Sequence, residues 1–298
     1  MTTTVDLSEE LRDCKFGDAR LTKRVQKLAD SLGRKPNMSI PAAMTSKAEY
    51  EACYRFFDNG KVTPAKILQP HIEATYNRIQ QIECALIVQD TTELDLTRPE
   101  QQVQGAGPMD STSRRGAFYH PQVAFDPRGV ALGIVGEQSW TRDEIIKAPK
   151  EEKNKKRKKL PIEEKESYRW IKGLKVAQAT AQSCPETMCV CMGDSEADIY
   201  ELFAAHANCQ TPNLQLLVRG GQSRNTTEKQ DWVELVRGLP KVGDQTVNVR
   251  ARTAKVGTGK SARSRSREAR TAELEIRKGT IEVCRPAHVP RHLPATVT

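Results

Sequence analysis

The sequence lacks the long apolar run that a membrane-spanning helix needs, because none of its apolar stretches reaches about 18 residues. Its first residues, Met1 through Asp6, also lack the basic and apolar regions of a secretory signal peptide. We therefore expect a cytoplasmic protein that contacts no membrane and whose thiols stay reduced.

Closely spaced zinc ligands are scarce as well. The eight cysteines contain no C-x-x-C pair, and structural zinc sites usually depend on such pairs. Cys189 and Cys191 alternate within an apolar segment, where cysteine acts as a small apolar residue. The composition argues against a zinc protein.

Basic residues outnumber acidic ones, with 47 Lys and Arg against 38 Asp and Glu and a net charge of +9. This sign of charge favours an anionic partner, and nucleic acid is the first candidate. The same charge also fits a basic protein without such a partner, so the net charge alone does not distinguish the two interpretations.

Residues 8–76 show apolar residues at helical spacing. The first helix has one apolar stripe, made of Leu21, Val25, Leu28 and Leu32. Two more helices are indicated by Tyr50, Tyr54 and Phe57 and by Ile67, Leu68 and Ile72. Other faces of the first helix carry the cations Arg20, Lys23, Arg24 and Lys27. A compact helical domain with a basic face suits DNA binding, although such charges also fit an ordinary solvated surface.

Two short apolar runs each end in an aspartate: residues 85–89 precede Asp90, and residues 188–193 precede Asp194. Runs of this kind are typical of strands buried on both faces. A carboxylate at the exit of such a strand lies at the rim of a sheet, where α/β proteins place their ligands. The alternative is that each aspartate only begins a turn or caps the next helix.

The middle of the chain predicts alternating strands and helices. Strand 85–89 is followed by a hairpin of strands 117–125 and 130–140, helix 165–182, strand 187–192 and strand 214–218. Ser195 through Asp198 resembles a capping box that opens another helix before the last strand. This order resembles the RNase H-like arrangement, in which the first and fourth strands lie side by side. That arrangement would bring Asp90 and Asp194 together.

Two basic segments and a change of period complete the pattern. Lys153 through Lys159 is the densest basic run, and it fits either a phosphate-binding loop or a solvated one. From about residue 241 the apolar period changes to two, which predicts antiparallel strands. The linker between the strands near residues 247–251 and 272–276 carries several cations, namely Lys260, Arg263, Arg265, Arg267 and Arg270.

Several of these segments resemble the Tn-five-like DDE transposases, the insertion-sequence-four group. Asp90-Thr91-Thr92-Glu93-Leu94 resembles the motif around the first catalytic aspartate of that family, and Gly193 through Tyr200 resembles the motif around the second. Further similarity lies at Phe16–Leu21, at Ala52–Phe57 and from His120-Pro121 through Trp140–Asp143. The resemblance extends from about residue 10 to the last residue.

The resemblance implies an α/β fold with an RNase H-like mixed sheet. Residues 1–76 would form the helical DNA-binding domain, 77–225 an incomplete catalytic core and 226–298 a partial β-rich insertion. It also implies cut-and-paste DNA transposition, with Asp90 and Asp194 as catalytic ligands of Mg²⁺ or Mn²⁺ and Asp90 bridging two ions. The implied partner is double-stranded DNA at transposon ends, bound by a dimer.

The sequence also departs from this family. Ser195 stands where the family usually has arginine, and we found no counterpart of the third catalytic glutamate or of the dimerisation helices. We therefore expect a C-terminally truncated chain that does not cleave DNA alone. The alternatives are a non-catalytic DNA-binding remnant or regulator of transposition, and an RNase H-like nuclease with a different third ligand.

Overall fold

The structure, a computed structural model, describes residues 7–98, 100, 103–110, 113–143, 160–253, 255–256, 263–264 and 266–298. The chain divides into two compact units, Met1–Gly221 and Gln222–Thr298. The predicted domain boundaries after residues 76 and 225 stay predictions. Within the described residues, no helix is both long enough and apolar enough to cross a bilayer.

The first unit begins with a helical module, which we define as residues 7–79. Its helices are α1 (Leu7–Glu10), α2 (Ala19–Arg34), α3 (Ile40–Ala43), α4 (Lys47–Phe57) and α5 (Pro64–Ile79). In α2, Val25 and Leu28 are buried, and Leu21 and Leu32 pack against the same core. The predicted apolar stripe is therefore confirmed.

Helices α4 and α5 confirm the other two predicted helices, but α4 faces the core differently. Its buried residues are Cys53 and Phe56, whereas Tyr54 and Phe57 are 45% and 51% exposed. The ring of Phe56 meets that of Phe16 edge to face, with 5.7 Å between centroids. Packing against the segment before α2 thus selects the buried face of α4.

After the helical module, the described part of the chain forms a mixed sheet of seven strands. Its strands are β1 (Cys84–Gln89), β2 (Thr92–Asp95), β3 (Gly107–Pro108), β4 (Arg115–Phe125), β5 (Ala131–Trp140), β6 (Met188–Gly193) and β7 (Leu214–Val218). The order is β2-β4-β1-β6-β7, and β3 and β5 also pair with β4. Strands β1, β6 and β7 are mutually parallel, whereas β4 is antiparallel to β1 and β5. The strands before Asp90 and Asp194 are thus neighbours, as the sequence predicts.

Arg78 connects the helical module to this sheet. Its Nε donates to the carbonyl of Leu132 at the start of β5, at 2.6 Å, and its Nη2 donates to Thr75 at 2.9 Å. Its Nη1 donates to Glu10 at 2.5 Å. Because hydrogen bonds from a charged group are stronger than those between neutral groups, the bond to Leu132 should help to fix α5 against β5.

Helix α6 (Tyr168–Ser183) covers one face of the sheet, and its predicted inner face is confirmed. That face consists of the buried residues Trp170, Leu174, Ala177 and Ala181. The predicted capping box at 195–198 is wrong. Ser195–Ala197 form a 3₁₀ turn, and α7 (Tyr200–Ala207) begins only afterwards. The carboxylate of Asp194 caps that turn by accepting from the backbone N–H of Glu196 at 2.8 Å.

Gly173 lets α6 approach the sheet closely. A Cβ at this position would lie 1.8 Å from Oε1 of Gln89. We expect Gly173→Ala to lower the free energy of unfolding by about 1–3 kcal/mol, because overpacking a tight core displaces its neighbours. Gly33→Ala is the matched control, since nothing lies within 4 Å of a Cβ there. Urea unfolding of both variants tests this, and wild-type stability of Gly173→Ala would contradict it.

The described residues of the second unit form α8 (Trp232–Gly238), which was not predicted, and six strands. These are β8 (Lys241–Val249), β9 (Lys255–Val256), β10 (Arg263–Ser264), β11 (Arg270–Arg277), β12 (Val283–Cys284) and β13 (Thr296–Val297). The pairs β8–β11, β9–β10 and β12–β13 are all antiparallel. The change of period near residue 241 therefore predicted antiparallel strands correctly.

Candidate functional site

The predicted cations of α2 share one side of the helix. Arg20, Lys23, Arg24 and Lys27, the α2 cation stripe, are three or four residues apart and thus neighbours on the helix surface. Val25 and Leu28 point to the core from another side. Arg20, Lys23 and Lys27 are exposed and Arg24 is partly exposed, so the stripe is accessible to a large anion.

Two members of the α2 cation stripe already have carboxylate partners. Nη2 of Arg20 lies 2.9 Å from Oδ2 of Asp18, and hydrogen bonds from Arg20 lower the pKa of Asp18 to about 2. Lys27 pairs with Glu49, whose pKa is lowered to about 2 by hydrogen bonds from Lys27 and then Thr45. Among the described residues, Lys23 and Arg24 form no ion pair, which leaves their charge the least compensated of the four.

Asp90 and Asp194 follow the ends of two parallel neighbours, β1 and β6. In the register of these strands, Val88 is opposite Met192. Extending that register by two residues places Asp90 opposite Asp194. Neighbouring strands are about 4.8 Å apart, so the two aspartates belong to one edge of the sheet.

The contacts of the two carboxylates differ. Asp90 is exposed, and its Oδ1 accepts from the N–H of Thr91 at 2.7 Å. Asp194 caps the 3₁₀ turn and also accepts from Nη2 of Arg219 at 3.3 Å. Asp194 therefore caps the turn that follows it, which is the role that the alternative interpretation of the sequence gave it. A carboxylate that caps a turn can also bind a metal ion.

Carboxylate oxygens are the ligands that Mg²⁺ and Mn²⁺ prefer, so the donor chemistry of this pair fits such an ion. In the part of the chain that the structure describes, no three His, Cys, Asp or Glu side chains form a group able to hold a metal. The pair is thus a partial set of ligands as it stands.

Sequence reasoning missed a buried polar network beside this edge. Gln89, His120 and Gln122 have little or no exposure. Burial, and then the nearby charge of Arg169, lowers the pKa of His120 to about 4. The sequence did contain a signal for this network. Every second residue of β1 is buried, namely Ala85, Ile87 and Gln89, and the last of these is polar.

Some predicted features lie outside the described residues. These are the basic run Lys153 through Lys159 and the linker cations Lys260 and Arg265. The described linker residues Arg267 and Arg270 are both exposed.

Comparison with known proteins bears on the helical module. A sequence model of the family described as transposase DNA-binding matches residues 7–62. This range runs from α1 to the segment just before α5 and includes the whole α2 cation stripe. No curated protein matched the chain. The family match supports a DNA-binding role for a protein of the transposase kind, with DNA as its partner.

Proposed function

We propose that the chain is a DNA transposase of the cut-and-paste DDE class that binds transposon ends through the α2 cation stripe. The observation that carries the proposal is the coincidence of this stripe with the transposase DNA-binding match over residues 7–62. Lysine and arginine neutralise DNA phosphates and release condensed counterions. The release of these counterions supplies most of the sequence-independent affinity for DNA.

The arrangement of charges suggests how the stripe would engage DNA. Lys23 and Arg24 can contact phosphate without leaving a protein carboxylate. Arg20 and Lys27 would exchange Asp18 and Glu49 for phosphate oxygens, and that exchange reduces their net contribution. Helix α2 would thus bind the backbone of the duplex, and base readout would depend on other contacts.

We propose further that the sheet is RNase H-like and that Asp90 and Asp194 bind divalent metal ions. The run of neighbouring strands β4-β1-β6-β7, with β5 paired to β4 and β1 parallel to β6, supports this assignment. A pair of Mg²⁺ or Mn²⁺ ions would stabilise the attacking and leaving oxygens of phosphodiester cleavage. Asp90 and Asp194 would hold these ions at the end of β1 and β6.

Photo-crosslinking tests where the DNA lies. The full chain is bound to a short duplex that contains 5-iodouracil, irradiated and digested, and the crosslinked peptides are identified by mass spectrometry. We expect crosslinks within residues 19–34. Crosslinks confined to peptides beyond residue 79 would contradict the proposal, because the DNA would then lie elsewhere.

The same preparation separates the enzyme from a regulator that binds without chemistry. Because the carboxylate pair is a partial set of ligands, we expect no nicking when the chain alone is incubated with end-bearing DNA and Mg²⁺ or Mn²⁺. Nicking that is lost in Asp90→Asn would show instead that the pair is competent. Binding without such nicking would favour the non-catalytic regulator.

A further inference from the structure

Arg169, near the start of α6, joins three segments through three different nitrogen atoms. Its Nε donates to Oγ1 of Thr91 at 2.8 Å, and its Nη2 donates to Oε2 of Glu196 at 2.6 Å. Its Nη1 donates to the carbonyl of Glu166 at 3.0 Å. The Arg169 side chain is only 12% exposed. A guanidinium has donors only, in a rigid fork, so this geometry fixes the three segments relative to one another.

Two of these segments directly follow β1 and β6. Thr91 is the neighbour of Asp90, and its N–H donates to the Asp90 carboxylate at 2.7 Å. Glu196 lies two residues after Asp194, and its N–H donates to the Asp194 carboxylate at 2.8 Å. Arg169 therefore connects the two carboxylates through one intervening residue on each side.

The Thr91 end of this connection is anchored in the core. Because Arg169 can only donate, Oγ1 of Thr91 accepts from it, and the same oxygen is hydrogen-bonded to Nδ1 of His120 at 2.9 Å. Nε2 of His120 then donates to Oε1 of Gln89 at 3.1 Å, and Nε2 of Gln89 donates to Sγ of Cys191 at 3.2 Å. This chain of hydrogen bonds ends on β6, the strand that leads to Asp194.

We propose that Arg169 is a positioning residue that holds the ends of β1 and β6 so that Asp90 and Asp194 face one shared metal site. The proposal deepens the proposed function and rests on it for the metal, whereas the connection between the strand ends can be tested without metal. Arg169 acts on the two carboxylates through Thr91 and Glu196, which it contacts directly.

The first test is hydrogen exchange of the full chain, measured by mass spectrometry without metal. In Arg169→Met we expect the amides of residues 91 and 196 to exchange about tenfold faster, the effect of losing a hydrogen bond to a charged group. Arg169→Lys keeps the charge but cannot reach three segments, so it should behave like Arg169→Met. Thr91→Val removes only one link and should affect residue 91 more than residue 196.

The matched control is Arg78→Met. Arg78 also binds three partners through three nitrogens, but it does so between α1, α5 and β5. Its loss should leave exchange at residues 91 and 196 unchanged. Unchanged exchange there in Arg169→Met, or wild-type exchange in Arg169→Lys, would overturn the proposal.

The second test is binding of Mn²⁺, followed by electron paramagnetic resonance. Removing a positive charge should by itself strengthen binding of a cation. Loss of positioning predicts the opposite sign, and we expect Arg169→Met to bind Mn²⁺ about tenfold more weakly, as for other residues that orient metal ligands. Stronger binding in Arg169→Met would overturn a positioning role.

Asp90→Asn separates failure of this inference from failure of the proposed function. If Mn²⁺ binding by the wild type is the same in Asp90→Asn, the proposed metal site is wrong. The exchange experiment then decides on Arg169 alone: faster exchange at residues 91 and 196 still supports its hold on the strand ends, and unchanged exchange overturns it.

Discussion

Replacing Arg20, Lys23, Arg24 and Lys27 together by alanine is expected to remove about a hundredfold of the salt-sensitive affinity for duplex DNA. The estimate follows from counterion release, since four phosphate contacts account for about that factor between roughly 50 and 200 mM salt. The variant also leaves Asp18 and Glu49 without their cations, which adds repulsion toward phosphate. Fluorescence anisotropy with a labelled duplex measures the loss.

Two controls belong to this prediction. Replacing Lys23 and Arg24 alone should remove at least about tenfold, the share of two phosphate contacts, because these two cations have no ion pair to give up among the described residues. Lys172→Ala with Lys175→Ala removes the same charge from exposed positions of α6 and should change affinity little. Equal losses in the two double variants would mean that net charge alone drives binding.

Acid is expected to destabilise the protein through His120. Burial and the charge of Arg169 lower the pKa of His120 from 6.5 to about 4, so the unfolded chain takes up a proton more readily than the folded one. The stabilising effect of the neutral imidazole is therefore complete above about pH 6.5 and is lost as the pH falls toward about 4. At most about 3 kcal/mol of unfolding free energy depends on this group.

His120→Gln isolates this contribution, because glutamine stays neutral throughout the range. The measurement is the free energy of unfolding by urea at about pH 7 and about pH 4.5, compared between wild type and variant. Carboxylates titrate in both proteins, so the difference between the two pH dependences reports His120. The wild type should lose about 2–3 kcal/mol more than the variant. Parallel pH dependences would show that His120 does not titrate with a lowered pKa.

The sequence was sufficient for the features that depend on local pattern. The runs before Asp90 and Asp194 are apolar and short, and they form strands with those residues at their ends. That these strands are neighbours was predicted from the RNase H-like arrangement rather than from local pattern. The stripe of α2 is also local, since helical spacing alone identifies Val25 and Leu28 as core residues.

Other features depend on partners distant in the chain, and pattern did not predict them. Arg169 meets Thr91 across 78 residues and Glu196 across 27 residues, and no local spacing indicates either contact. The capping box failed for a similar reason, because Asp198 is buried and accepts from Gly221 at 2.7 Å. The carboxylate of Asp198 thus accepts a hydrogen bond from a distant part of the chain, whereas a capping box requires it to accept from the N–H of the N-cap residue.

The central claim is that the α2 cation stripe binds DNA phosphates, and the dependence of binding on salt tests it most directly. The logarithm of the association constant is plotted against the logarithm of salt concentration for the full chain and for the variant with all four cations replaced. We expect a linear fall for both and a slope that is shallower in the variant by up to about 3.6, or about 0.9 for each phosphate contact. Identical slopes, or a wild-type affinity that does not respond to salt, would contradict the account.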